Sequence, residues 1–178
     1  MAGHSHWKQI KTHKGIADKK RGTVFSKLLA AIAVAARRES NPQFNAPLRS
    51  AILKAKESQV PQENIERAIS KAGNQDQVFD EMVIEAYGPG GSALIIEAIS
   101  DNKNRTINEI KLIFKDFETK LAEPGGVRWA FKTPINEISF WQPVFEQKLN
   151  ALDLEKLQHL ITTLKDHADI HEVFTNAK

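Results

Sequence analysis

From Gly22 onward, hydrophobic positions follow two different periods. Phe25, Leu28, Leu29, Ile32 and Ala36 recur at i, i+3, i+4 and i+7, which predicts an amphipathic helix near Thr23–Arg38. Arg37 and Arg38 would sit in its last turn, where cations suit the helix dipole. Asn41-Pro42 breaks the pattern. Asn45 is placed to cap a second helix, with Pro47 in its first turn and Leu48, Ile52 and Ala55 as its apolar stripe. After a break at Gln59 to Pro61, a third helix carries Ile65, Ala68 and Ile69 and ends at Gly73, a residue type suited to follow a helix. Residues 1–21 show no sustained apolar period. They read as a mobile basic arm with at most a short helix.

Beyond Gly73 the period becomes that of strands. Val78 to Tyr87 and Ala93 to Ile99 predict a hairpin across the turn cluster Gly88-Pro89-Gly90-Gly91. Ile107, Ile110, Phe114 and Phe117 predict a helix over Thr106 to Phe117. Short strands follow at Val127 to Phe131 and Ile135 to Trp141. Leu154, Leu157, Leu160, Ile161 and Leu164 mark a last helix, and Glu172 to Thr175 a last strand. The expected fold is α+β: an N-terminal helical bundle domain of about 1–75 with a basic arm, then a β-β-α-β-β-α-β sandwich domain of about 76–178. Its helices would cover one face of a mostly antiparallel sheet.

Composition narrows the function classes. The 178 residues are 41% apolar and 26% charged, the balance of an ordinary globular chain. There is no cysteine, which removes disulfides, thiolate metal sites and cysteine nucleophiles. The longest apolar run, Leu28 to Ala36, is far short of the roughly 20 residues of a membrane span. That run and its Ala33-Val34-Ala35 ending imitate a secretory signal. The polar lead before it is too long for one, and Leu28, Ile32 and Ala36 also fit a helix face. The Lys-rich lead, with Asp18 as its one acid, leaves a mitochondrial address as the lesser alternative to the cytoplasm.

Net charge is +3, but it is unevenly spread. Residues 1–73 hold 14 Lys and Arg against 5 Asp and Glu, and the remainder 11 against 17, so +9 is followed by −6. The asymmetry points to two modules with different partners. Lys8, Lys11, Lys14, Lys19, Lys20, Arg21 and Lys27 face Asp18 alone, a pattern suited to a polyphosphate. The bland alternative is a solvated tail. Trp7 could stack on a base or fold back to anchor the arm. His4, His6 and His13 lack a neighbouring carboxylate, so phosphate or solvent is expected to engage them and no metal is. Lys103 and Arg105, beside Asn102 and Asn104, could touch RNA, while Asp101 or Asn102 could cap the helix that follows. His167 and His171 straddle a helix end, where a protonated imidazole would be a cap. Trp129 and Trp141 are expected in the core.

Nothing predicts catalysis. The Gly88–Ser92 cluster lacks the Lys-Ser/Thr of a phosphate loop and joins strand to strand. Neither Ser5 nor Ser26 has a nucleophile-elbow context, and the carboxylates form no recognisable acid/base pattern. No enzyme activity, cofactor or small-molecule substrate is expected.

Several motifs resemble the YebC family. They are Ala2-Gly3-His4-Ser5-x-Trp7, Ile10-Lys11, Lys20-Arg21-Gly22 and Ala35-Ala36-Arg37, then Pro61-x-x-Asn64-Ile65-Glu66-Arg67-Ala68-Ile69 and Tyr87-Gly88-Pro89-Gly90-Gly91. Asp101-Asn102-x-Asn104-Arg105-Thr106 and Gly126-Val127-x-Trp129-x-Phe131 complete the set, in order, over residues 2–131. The resemblance implies a non-enzymatic binder of nucleic acid or ribosomes with a helical first domain and α+β domains after it. Members of that family are described either as DNA-binding transcriptional regulators or as translation factors that help the ribosome through difficult stretches. It also implies a departure. Typical members carry a third domain inserted after the strand matching Val127 to Phe131, whereas here Lys132-Thr133-Pro134 passes almost directly into Glu137–Pro143, so the insertion is absent near 132–136. His6, Lys8 and Thr12 also depart from the residue types usual in the family, and His6 in place of lysine removes a charge at neutral pH.

The expected partner is nucleic acid, with no membrane. RNA of the ribosome is favoured because phosphate contacts carry little sequence information and RNA is read largely by shape. Sequence-specific DNA binding is the alternative, and a protein-interaction role for the acidic second domain a further one. The residues expected to carry nucleic-acid binding are His4, His6, Trp7, Lys8, Lys11, Lys14, Lys19, Lys20, Arg21, Lys103 and Arg105.

Overall fold

The computed structural model describes residues 3–72, 79–134 and 140–178, and the side chains of residues 3–17 and of Lys19 lie outside that description. The expected helix end at Gly73 and most of the expected strand at Ile135 to Trp141 lie outside it as well. The protein is a mixed helix and sheet structure, helices first and an antiparallel sheet after them. It separates into two compact units, Met1–Gln77 and Val78–Lys178.

The first unit contains α1 (Gly3–Ala36), α2 (Ala46–Glu57) and α3 (Gln62–Lys71). α1 corrects the expectation of a mobile arm: the basic lead and the amphipathic segment are one continuous helix of 34 residues. Hydrophobic periodicity detects only the part of a helix that packs. The lead is rich in Lys, with Gln9, Ala17 and Arg21 among them, residue types that favour a helix by intrinsic preference without an apolar stripe. The helix also stops at Ala36, so Arg37 and Arg38 follow it and do not sit in its last turn.

The bundle core joins Ile32 and Ala36 of α1 to Leu48 and Ala55 of α2, Val60, and Ile65 of α3, with Phe25, Leu28 and Leu29 packed at its edge. Each fully buried aliphatic side chain there contributes roughly 1.5–3 kcal/mol. Asn45 fixes the α1–α2 junction. Its Nδ2 donates to the carbonyls of Ala35 (2.8 Å) and Glu39 (2.6 Å), while its Oδ1 accepts from Leu48 N at 3.0 Å. One buried amide thus satisfies a carbonyl at the end of one helix and an amide at the start of the next. α2 ends in a Schellman motif: Val60 N donates to Ala55 O and Gln59 N to Lys56 O, both at 2.9 Å, with Gln59 left-handed at φ 61°.

In the second unit β1 (Asp80–Tyr87) and β2 (Ala93–Ser100) form the expected hairpin, from Tyr87↔Ala93 to Asp80↔Ser100. Its connection is a tight 3-10 turn at Pro89–Gly91, with Gly90 and Gly91 at φ 65° and 74°. α4 (Lys103–Asp116) follows, capped by Asn102, whose side chain accepts from Arg105 N. Then come β3 (Lys120–Leu121), β4 (Phe131–Lys132), β5 (Gln142–Pro143), α5 (Ala151–Asp166) and β6 (Ile170–Thr175). The main sheet runs β3-β1-β2-β6, antiparallel throughout, and β4 pairs with β5.

Two differences from expectation stand out. The two-residue β3 had no sequence signal. Most of the expected strand over Val127 to Phe131 is a 3-10 turn at Arg128–Ala130, and only Phe131 and Lys132 pair. β2 is buried on both faces, which explains its apolar run from Ala93 to Ile96. Leu94, Ile96 and Ala98 face α4 and α5, with Ile110, Phe114, Leu157, Leu160 and Leu164. Ala93 and Ile95 face the opposite layer of Ala122, Val127, Ala130, Phe131 and Trp141.

Candidate nucleic-acid interface

Most of the residues expected to contact nucleic acid fall on α1. At 1.5 Å per residue, its 34 residues span about 51 Å, against about 18 Å for the 12 residues of α2. Among the described residues, α1 enters the bundle core only from Phe25 onward. Lys8, Lys11, Lys14, Lys19, Lys20 and Arg21 therefore lie along one helix, ahead of Phe25, with His4, His6 and Trp7 near its start. The first turn of α1 holds no acid. Lys20 and Arg21 are exposed, and the side chains of His4, His6, Trp7, Lys8, Lys11, Lys14 and Lys19 lie outside the description.

Lys103 and Arg105 sit elsewhere, on the first turn of α4 in the second unit, and both face acids. Lys103 Nζ is 3.2 Å from Asp80 Oδ2. Arg105 lies 2.9 Å from Asp101, 2.8 Å from Asp169 and 3.8 Å from Glu109. The hydrogen bond from Arg105 to Asp169 and the neighbouring carboxylates hold the guanidinium pKa above its ordinary value. A phosphate would have to displace these acids.

The same cluster extends inward as an ordered chain. Asn102 N donates to Ser100 Oγ at 2.9 Å, and Ser100 Oγ lies 2.7 Å from Thr106 Oγ1. Thr106 Oγ1 is 2.5 Å from Asp169 Oδ2. A hydroxyl has one proton, so Thr106 donates it to the carboxylate and accepts from Ser100. Burial pushes the Asp169 carboxyl up, but the Thr106 and Arg105 hydrogen bonds and the Arg105 charge outweigh it and hold the pKa below the usual value.

His167, the C-cap of α5, accepts from Asp169 N through Nδ1 at 3.1 Å and meets Glu109 Oε2 through Nε2 at 2.9 Å. An accepting Nδ1 carries no hydrogen. Nε2 therefore donates to Glu109, and His167 stands at the helix end where it was expected. Glu109, His167 and Asp169 offer ligand atoms within 4.8 Å of one another. One Asp169 oxygen is already engaged by Arg105 and Thr106, so the cluster is accounted for as a clasp between α4 and the start of β6.

A second clasp positions the loop before β4. The Glu85 carboxylate, 5% exposed, accepts from Gly125 N (2.8 Å), Val127 N (3.0 Å) and Arg128 N (3.0 Å). Burial raises its pKa. The three amides, then the charge of Arg128, more than offset that and leave it lowered. Sequence reasoning missed this residue, because a carboxylate that binds backbone amides has no motif.

The tryptophans divide. Trp141 is buried at 5% exposure, as expected. Trp129 is 65% exposed, which corrects its expected place in the core. The 3-10 turn at Arg128–Ala130 rotates it outward, its Nε1 donates to Gly126 O at 2.8 Å, and its ring lies 5.4 Å from that of Phe145. Among the described residues, no helix is long and apolar enough to cross a membrane.

Comparison with known proteins places these features in a family context. The TACO1/YebC protein N-terminal domain model matches residues 5–75, and the model for the TACO1/YebC second and third domain matches residues 79–135. A probable transcriptional regulatory protein of Prochlorococcus marinus strain MIT 9313 is 48% identical over 136 residues, covering 74% of this chain and 55% of the relative. One from Synechococcus sp. strain RCC307 is 49% identical over 135 residues, covering 74% and 53%. The chain thus spans about half the length of the curated relatives it matches. The crystal structure of a conserved hypothetical protein, Aq1575 from Aquifex aeolicus, superposes with a TM-score of 0.82 at 27% identity. It covers 89% of this chain and 90% of its own.

Proposed function

The chain belongs to the TACO1/YebC family, and from that premise we propose that it is a non-enzymatic, nucleic-acid-binding regulator of gene expression that acts on RNA of the ribosome in the cytoplasm. The observation that carries the reading is the placement of Lys8, Lys11, Lys14, Lys19, Lys20 and Arg21 along one helix, ahead of Phe25, where the described core residues of α1 begin. A row of cations on a rigid rod neutralises a phosphate backbone without reading bases.

Transcriptional regulation through DNA reading is the second possibility. α2 and α3, joined by a short turn, have the order of a helix-turn-helix pair. The exposed start of α3 argues against that use, because Glu63 and Glu66 would approach phosphates there and Arg67 is paired with Glu63 at 2.9 Å.

We propose further that the chain is a two-domain member, divided near residue 75, without the inserted third domain. Supporting this, Phe131 pairs with Pro143 and Lys132 with Gln142, so the chain returns to the second unit after only a short connection.

The test is co-sedimentation with ribosomes over a salt series, with excess duplex DNA as competitor. Co-migration that resists DNA and weakens smoothly with salt supports the reading. Release by DNA with a preferred sequence replaces it with the transcriptional one.

A further inference from the structure

The connection between α1 and α2 carries Phe44 at 77% exposure, the most exposed large hydrophobic side chain among the described residues. An isolated exposed apolar residue is ordinary. Phe44 differs because its support is braced by hydrogen bonds and its neighbours along the chain are cationic. Arg49 Nη1 donates to the carbonyls of Pro42 (2.7 Å) and Gln43 (2.9 Å), the two residues before it. Phe44 N donates to Asn41 O at 3.1 Å, and the buried Asn45 ties the next position to both helices. The ring therefore stands on a braced loop. Around it in the chain are Arg37, Arg38 and Arg49, all exposed, and a single acid, Glu39. Glu39 already accepts from Asn41 N at 2.7 Å.

A flat, exposed ring with few internal degrees of freedom, flanked in the chain by arginines of the basic unit, suits a ligand that is both aromatic and anionic. We propose that Phe44 is a stacking platform for an unpaired nucleobase, with the surrounding arginines drawing in the phosphates on either side of it. The inference rests on the nucleic-acid reading above and adds to it a second contact point. Arg21 and Lys8 are 15 and 28 helical residues from Ala36, so the basic stretch lies about 22 to 42 Å along α1 from the helix end that leads into the Phe44 connection. The preferred target is then RNA with a single-stranded segment, and Phe44 supplies an affinity for bases that lysines cannot.

The test uses the full chain and single-stranded RNA of about a dozen nucleotides, within the usual range of such sites, compared with an abasic strand of equal length. Stacking on one aromatic ring predicts that Phe44→Ala weakens binding to the base-bearing strand by about 5- to 140-fold. Binding to the abasic strand, the salt slope and the thermal midpoint should be unchanged, and Phe44→Tyr should restore the wild-type affinity. Equal binding of wild type and Phe44→Ala to the base-bearing strand overturns the platform alone. Equal loss on both strands also overturns it, since the effect would then not concern bases. Failure of the wild type to bind either strand overturns the platform together with the reading it rests on.

Discussion

The indole Nε1 of Trp141 donates to Oε1 of Glu97 at 2.8 Å, tying the layer over the second face of the sheet to the middle of β2. The carboxylate is held in a poor setting for a charge. Burial raises the Glu97 pKa, the Trp141 bond lowers it in part, and the charges of Glu172 and Glu81 raise it further, leaving it above the ordinary value. For a group whose folded pKa is raised, the stabilising contribution is complete below the unfolded pKa and is lost as pH rises through the folded one. Glu97→Gln keeps an oxygen for Trp141 and removes the charge. The expected outcome is a higher thermal midpoint than wild type at pH 7 to 8, with the gap closing towards pH 4, read by thermal denaturation across that range.

Glu85 predicts the opposite sign. Its lowered pKa makes its contribution present above the unfolded carboxylate pKa and lost as pH falls through the folded one. Glu85→Ala leaves three backbone amides without their acceptor and should cost about 2–4 kcal/mol at neutral pH by chemical denaturation. Glu85→Gln should also destabilise, because its amide nitrogen would face N–H donors.

Gln59 is left-handed at the residue after the α2 C-cap, where glycine is the usual occupant. A non-glycine residue in that region costs about 1–2 kcal/mol, and glycine loses part of that advantage through its freer unfolded chain. Gln59→Gly should stabilise the first unit by a few tenths to about 1 kcal/mol, and Gln59→Val should destabilise it. The helical signal in circular dichroism melts distinguishes the two.

Replacing Lys11, Lys14 and Lys20 with glutamate reverses three charges on α1 without touching the residues of its core. Nucleic-acid binding should be abolished at moderate salt while the melting profile is kept, as measured by fluorescence anisotropy. Binding that survives would mean that α1 is not the interface.

Much of the architecture was legible in local pattern. The α2 cap at Asn45, the α4 cap at Asn102 and the hairpin across Gly88–Ser92 each follow from residues within a few positions of one another. The α5 stripe was legible for the same reason, since Leu157, Leu160 and Leu164 repeat on one helix face. The lead of α1 was not, because a stretch without an apolar stripe gives periodicity nothing to detect. Trp129 was misplaced because a three-residue 3-10 turn reverses the in–out alternation of a strand, and no local signal distinguishes the two.

By itself the sequence determined the split of charge, the absence of thiol chemistry, the order of the principal helices and strands, and the family motifs, all properties of composition and near neighbours. Only the tertiary structure decided that the basic lead is one rod with the first bundle helix. It alone showed that Arg105 is held among acids while Phe44 stands in the open, and that Glu85 grips a loop some forty residues away. These depend on which distant groups meet. A charge or a ring has the same identity in the sequence whether it is paired, buried or exposed, and folding alone sets its surroundings.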